Sequence, residues 1–452
     1  MAMTSTNSES PSLPPGPKGR RFGNLLRRQS DFPGFMEELH REYGDIVFYE
    51  LPFLKCCAVF DARLVPDVQE PHFLKWFPTG PMLESCLATL LDQEHEQRRS
   101  LMLAGLDESS MRGYGDIIRD GALAMRQRCR PGTTIDIKEE FDVFTSRTLL
   151  DAVVGRDLAV PTSVQMNVLK AVKVDLLLAL FPGASVLTKQ YSPFYIPIRR
   201  WLKAMDDVVH EAIRRAKDQA RPVDNMVAHY VRARDEGVHG ASHLTDKEIR
   251  DEALAFLCGY PDAPAAAMTY GVHFLAQAPA AQRRLEQEVD EVLGDRPAEV
   301  ADFEKLSYAR AVFRETVRLA PPAYVLLPVR PREDRIVGGH LVPKGTVTNV
   351  GARVLHRRTD YWDRPEDFRP ERWLEKPGPR DRGCPEHGYI PFGVADRSCP
   401  FGGFAERMFV FAHASFAQRL RLESASSDAP KQFSNGIGVK GPVTVTVRQR
   451  SP

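Results

Sequence analysis

The segment best equipped for chemistry is Pro391-Phe-Gly-Val-Ala-Asp-Arg-Ser-Cys399-Pro-Phe-Gly-Gly-Phe-Ala405. A loop with Gly393 leads to Arg397, then to a cysteine two residues on, then to a helical run. Backbone N–H groups at a helix start, with a cation nearby, lower a thiol's pKa and stabilise its anion. Cys399 is therefore a candidate functional thiolate. The competing reading is a buried structural cysteine, which behaves as a small apolar side chain. Two more segments set charges at fixed spacing. Glu315-Thr-Val-Arg318 puts a carboxylate and a guanidinium one helical turn apart, and Phe368-Arg-Pro-Glu-Arg372-Trp lies between that pair and Cys399. Taken alone, the first pair also reads as a surface ion pair of small energetic weight.

The elements that must position these groups show in the hydrophobic periodicity. Phe35 to Tyr43 has helical spacing and stops at Gly44. Ile46 to Leu51 and Cys56 to Phe60 read as paired strands with Pro52 at the turn. From Leu87 to Leu306 the pattern is mostly helical, with clear helices over Ala204–Arg215, Asp246–Leu257 and Pro279–Leu293. Thr245 and Glu248 have the spacing of a capping box. Phe303 to Leu319 is a further helix, ended by Pro321-Pro322. Beyond it come short strands at Val325–Val329, Arg335–Val337 and Thr346–Val350. A polar coil then runs from His356 to Tyr389, a helix over Gly403–Arg419, and a last strand over Val443–Val447. The fold class is mainly α with small β-sheets.

The chain has 452 residues, 43% hydrophobic and 27% charged, enough to bury a sizeable core. Sixty-one Lys and Arg against sixty Asp and Glu give a net charge of +1, so nothing points to a nucleic-acid partner. No apolar run reaches the length of a membrane span. Seven scattered cysteines without a C-x-x-C pair do not make a disulfide scaffold or a zinc site and fit the reducing cytoplasm. Residues 1–20 read as a disordered, Pro-rich lead-in. Arg20, Arg21, Arg27 and Arg28 after it read as a solvated basic stretch. With no Gly/Ser linker and no repeat, residues 21–452 read as a single large domain, expected to be a monomer.

In this order and spacing, the three charged and thiol-bearing segments resemble the cytochrome P450 family, from about Pro14 to the C-terminus. The resemblance implies the cytochrome P450 fold and a haem b whose iron takes one cysteine thiolate, here Cys399. Phe392 falls in the same motif. Glu315 and Arg318 match the family's E-x-x-R pair, and Arg372 the third member of that buried triad. Pro14-Pro-Gly-Pro17, Glu42-Tyr43-Gly44-Asp45 and Lys344-Gly345-Thr346 are also similar to the family's pattern. For the haem propionates the resemblance implies His95 and Arg99, as H-x-x-x-R, together with Arg397 and Arg330. Arg332 is an alternative to Arg330, and Arg98 is expected to face solvent or an ion pair.

The sequence departs from the family at two places. In Phe256-Leu-Cys-Gly259-Tyr-Pro261-Asp262-Ala263-Pro264, Asp262 falls on the family's acid and Ala263 on its threonine, the alcohol that steers protons during oxygen activation. Pro261 and Pro264 each remove an N–H from the helix, at about 3 kcal/mol apiece in a helix interior. The helix is expected to kink or open there, either only shaping the pocket or altering oxygen activation. In the cysteine loop, Ala395 replaces a usual glycine and Phe401 another, where a positive φ would be costly. Gly402-Gly403 offers relief by shifting the turn, and Ala405 keeps the following helix in register.

The implied function is a haem-thiolate monooxygenase that oxidises an apolar or amphipathic small molecule in specialised metabolism. Its electrons would come from an external donor such as ferredoxin or flavodoxin with its reductase. Two alternatives stay open. One is an atypical haem-thiolate enzyme using substrate-assisted or peroxide-driven oxidation, or catalysing rearrangement or cyclisation. The other is a degenerate haem or ligand binder. The substrate pocket is expected from Trp76–Leu90 and Leu176–Ile198.

Overall fold

The computed structural model describes residues 11–69, 72–75, 85–158, 160–161, 164, 196–218, 224–258, 261–326, 328–376, 378–380, 382–424, 426, 428–432 and 437–450. Most of the two segments expected to line the pocket lies outside these residues. The chain sorts into two compact units. The first comprises Met1–Trp76, Ala323–Glu366 and Pro379–Gly393, and the second Phe77–Pro322, Asp367–Gly378 and Val394–Pro452.

Helices α1 (Arg21–Ser30) and α2 (Phe32–Tyr43) come first, then strands β1 (Ile46–Leu51), β2 (Leu54–Val59) and β3 (Phe73–Lys75). Helix α1 occupies the stretch that the sequence suggested was merely solvated. Arg21 and Asn24 tie it to Glu50 of β1. Asp31 starts α2 by accepting from the Gly34 N–H at 3.1 Å, with Pro33 in the first turn, where its missing donor costs nothing. Residues of the lead-in are also held: the Phe48 N–H donates to the Pro15 carbonyl, and the Leu341 N–H to that of Ser12, both at 2.9 Å.

The middle of the chain carries α3 (Asp92–Ala104), α4 (Glu108–Arg128), β4 (Thr134–Asp136), α5 (Ile137–Val154), α6 (Ile196–Ala216), α7 (Met226–Glu236), α8 (Asp246–Cys258), α9 (Asp262–Gln277), α10 (Pro279–Leu293) and α11 (Ser307–Leu319). The Thr245–Glu248 capping box forms at the start of α8, with the Thr245 N–H donating to Glu248 at 2.9 Å and the Glu248 N–H to the Thr245 hydroxyl at 3.2 Å. Helix α11 begins four residues later than its periodicity predicts. Its first free N–H groups, on Tyr308 and Ala309, donate to the Glu288 carboxylate of α10 at 2.6 and 2.9 Å. That cap comes from another helix and leaves no local signature.

Strands β5 (Val329–Pro331), β6 (Arg335–Val337), β7 (His340–Val342) and β8 (Val347–Val350) follow, then α12 (Ala352–Leu355), α13 (Gly402–Arg419), β9 (Leu420–Ser424) and β10 (Thr444–Gln449). In the first unit the strands form a five-stranded sheet in the order β1-β2-β8-β5-β3 and a β6–β7 hairpin. Its core gathers Phe35, Met36, Val47, Tyr49, Phe60 and Tyr324. The second unit is helical, with a three-stranded sheet in the order β4-β10-β9. There α9 and α13 meet at Gly271. A Cβ at that position would lie 2.6 Å from the Phe409 ring and 2.7 Å from His413 Nε2, so only glycine permits this approach.

Candidate functional site

Cys399 lies between a short 3-10 turn, Ala395–Arg397, and the start of α13. Its thiol is exposed, whereas Cys56, Cys57, Cys86, Cys129 and Cys384 are buried. Burial pushes the thiols of Cys56 and Cys86 up to about 11 and that of Cys129 to about 12, and raises Cys57 as well. Those groups stay protonated and inert. Cys399 instead sits just ahead of the positive end of an 18-residue helix.

The loop corrects one expectation. Phe401 has φ −91° and ψ 8°, so it carries no left-handed strain. The Ala405 N–H donates to the Phe401 carbonyl at 2.9 Å, which puts α13 in register from its first turn. The left-handed positions are Gly393 at φ +81° and Ala395 at φ +48°. An alanine in that region costs roughly 1–2 kcal/mol relative to its right-handed conformation.

Arg99 on α3 reaches this loop directly. Its Nη1 donates to the Ser398 carbonyl at 2.7 Å and its Nη2 to the Ser398 hydroxyl at 2.9 Å. Burial lowers the Arg99 pKa, while Asp396 and Cys399 oppose the shift. Arg397 donates to the Leu90 carbonyl at 3.1 Å. His95 is buried on the same helix as Arg99, one turn earlier. Arg98 is buried in an ion cluster, the second of the two fates expected for it: Nη1 meets Glu252 at 2.8 Å and Nη2 meets Glu248 at 3.1 Å. Arg330, on β5, and Phe392 belong to the first unit.

Glu315, Arg318 and Arg372 come together in one buried network. Arg318 forms a two-pronged pair with Glu315, Nε at 2.9 Å and Nη2 at 2.8 Å, and Arg372 Nε adds a third bond at 2.9 Å. Arg318 and Glu315 are both 0% exposed, which rules out the surface ion pair. The segment 367–373 is bound by its backbone too, through the Asp367 carbonyl and the Arg369 N–H. Trp373 is a member that sequence reasoning missed as a participant. Its indole N–H donates to Glu315 at 3.0 Å. Its position right after Arg372 was the available signal.

Helix α8 stops at Cys258 and α9 starts at Asp262, with Pro261 preceding it at φ −55°, ψ −21°. Pro264 falls in the first turn of α9, where helix N–H groups have no intrahelical acceptor, so it sacrifices no bond. The expected penalty for that proline therefore does not arise. Tyr260, whose carbonyl a continuous helix would pair with position 264, lies outside the described residues. Asp262 and Ala263 are the first two residues of α9, both partly buried, and the residue before them, Pro261, makes no side-chain cap bond.

Among the described residues no group of three or more His, Cys, Asp or Glu side chains could hold a bare metal ion. A haem would ask the protein for a single cysteine thiolate. An exposed thiol at a helix start, with guanidinium-bearing Arg99 and Arg397 close in the fold or the chain, fits that demand. Among the described residues no helix is long and apolar enough to cross a membrane.

A family model described as cytochrome P450 matches residues 13–446. The cyclooctat-9-en-7-ol 5-monooxygenase of Streptomyces melanosporofaciens is 24% identical over 82% of this chain and 79% of its own length. The cyclooctatin synthase of the same organism is 27% identical over 76% of this chain and 74% of its own. Cytochrome P450 3A18 of Rattus norvegicus is 26% identical over 85% of this chain and 81% of its own. The family uses haem, its iron held by a cysteine thiolate, with a small-molecule substrate and a redox partner. The chain belongs to the cytochrome P450 family and is a haem-thiolate monooxygenase.

Proposed function

We propose that Cys399 is the axial thiolate and that the enzyme oxidises an apolar or amphipathic small molecule. The observation that carries this is the exposed thiol of Cys399 at the start of α13, in a loop gripped by Arg99. Bound haem supplies the reductive activation of dioxygen for attack on a substrate C–H bond. The chain's own residues hold and orient it. Cys399 would bind the iron, the positive end of α13 would stabilise the thiolate, and His95, Arg99 and Arg397 would be the donors offered to the propionates. The Glu315–Arg318–Arg372 network fixes the segment that precedes the ligand loop in sequence. An alicyclic alcohol is the favoured substrate class, because the name of one Streptomyces relative states action on such a compound. A cytoplasmic ferredoxin or flavodoxin with its reductase supplies the electrons.

The test is spectroscopic. Reduced protein under carbon monoxide should show the red-shifted Soret band of thiolate ligation, and Cys399→Ala should abolish it. Persistence of the band in that variant would assign the ligand to another cysteine.

Ala263, in the first turn of α9, favours a substrate-assisted variant of this chemistry. Ala263 offers no hydroxyl, and an alanine side chain can neither donate nor accept a proton. A polar group on the substrate takes over that duty beside Asp262. Coupling, as product per electron consumed, should then fall for a substrate analogue lacking the group, and Ala263→Thr should barely raise it. Indifference to the group, with a strong gain in Ala263→Thr, would sink the idea.

A further inference from the structure

We propose that Phe256 and Phe401 are positioning residues for the thiolate: an aromatic clasp between α8 and the ligand loop, opposite the grip of Arg99. The proposal rests on Cys399 being the axial ligand. The Phe401 ring stands edge-to-face on Phe256, with centroids 4.2 Å apart and planes at 79°. The near-perpendicular angle suits the aromatic quadrupole, and such a pair adds to simple area burial. Phe401 lies two residues after Cys399, and Ser398, which receives both Arg99 bonds, lies one residue before it. The exposed Cys399 is thus held on each flank along the chain.

The two grips are joined to each other. Glu248, Glu252 and Phe256 recur every four residues on α8 and share one face of the helix. The two carboxylates hold Arg98, the neighbour of Arg99 on α3. A single buried ion cluster therefore fixes the helix that reaches Ser398 against the helix that reaches Phe401. The aromatic pair lines a small apolar cavity together with Tyr114, Leu149, Met226 and Phe404. A phenylalanine at position 401, where the family resemblance implies glycine, gains its place from this tertiary contact.

The experiment uses the haem-loaded, full-length protein and its variants Phe256→Ala, Phe401→Ala and the double substitution. For each, the rate at which the thiolate-type carbon monoxide band gives way to the shorter-wavelength band of thiolate loss is followed in mild urea. The Fe(III)/Fe(II) potential is measured alongside, and global stability is measured separately by far-UV circular dichroism. Each single substitution should speed conversion roughly two- to tenfold, the size expected of an edge-to-face pair. The double variant should convert no faster than the quicker single, and Phe256→Leu should restore part of the loss. Additive rates, or rates that track global stability alone with an unmoved potential, would overturn the clasp. If the variants keep the native rate while Cys399→Ala still loses the band, the clasp fails and the ligand assignment stands. If Cys399→Ala keeps the band, the ligand assignment fails first.

Discussion

Glu315 and Glu252 are both fully buried carboxylates facing arginine, and they are held very differently. Glu315 accepts from Arg318 twice, from Arg372, from the Trp373 indole and from the Arg369 N–H. Glu252 accepts from Arg98 and the Leu87 N–H through one oxygen, while its Oε2 has no hydrogen-bond partner among the described residues. Burial pushes Glu252 up to about 7, with Arg98 pulling the other way. The two sites differ in their number of donors, and Glu252, with fewer of them, is poised to take a proton despite its arginine.

The harshest way to break this contrast is Arg318→Ala. It leaves Glu315 buried with half its guanidinium partners and should cost roughly 3–5 kcal/mol. Purified variant protein should carry little haem, read from the haem-to-protein absorbance ratio. Full occupancy with unchanged stability would remove the network from any structural role.

Glu252→Gln is the milder test, and its sign runs with pH. The carboxyl sits above its ordinary value of 4.5 in the folded protein, so the fold binds this proton more readily than the unfolded chain does. Its contribution to stability is whole below pH 4.5 and is lost as pH rises through about 7. The wild type should therefore lose up to about 3 kcal/mol relative to Glu252→Gln across that window. Urea midpoints measured along the range check this. Parallel curves for the two proteins would mean that Glu252 is as well satisfied as Glu315.

Local grammar explains what the sequence revealed. Thr245 with Glu248 marks a helix start through bonds within one turn and Pro279 through its fixed φ, and the structure starts α8 and α10 there, whereas α2, read from Phe35, starts three residues earlier at Phe32, where Asp31 caps it. The Glu315–Arg318 pair was legible because a three-residue spacing on a helix puts both groups on one face. Burial of that pair and the part played by Trp373 depend on a segment some fifty residues away and have no local trace. The same holds for the α11 start capped by Glu288, for the Phe256–Phe401 contact and for Glu252. The left-handed strain was sought at Phe401, where a family glycine was missing, but the chain carries it at Ala395, the other glycine replacement.

The first unit is stitched from three stretches of chain, and its sheet shows what that means for a ribosome. Strand β2 is complete early, yet its parallel partner β8 pairs Val350 with Val59, roughly 300 residues later. At about 5–20 residues per second, synthesis leaves the β2 edge without that partner for on the order of 15–60 s. During that wait Cys56, Cys57 and Ala58 present an apolar edge to the cell, a template for pairing with the wrong chain. Heterologous yield should therefore depend on growth temperature and holdase supply more than on anything at the haem site, and slow translation through the helical middle would lengthen the exposure.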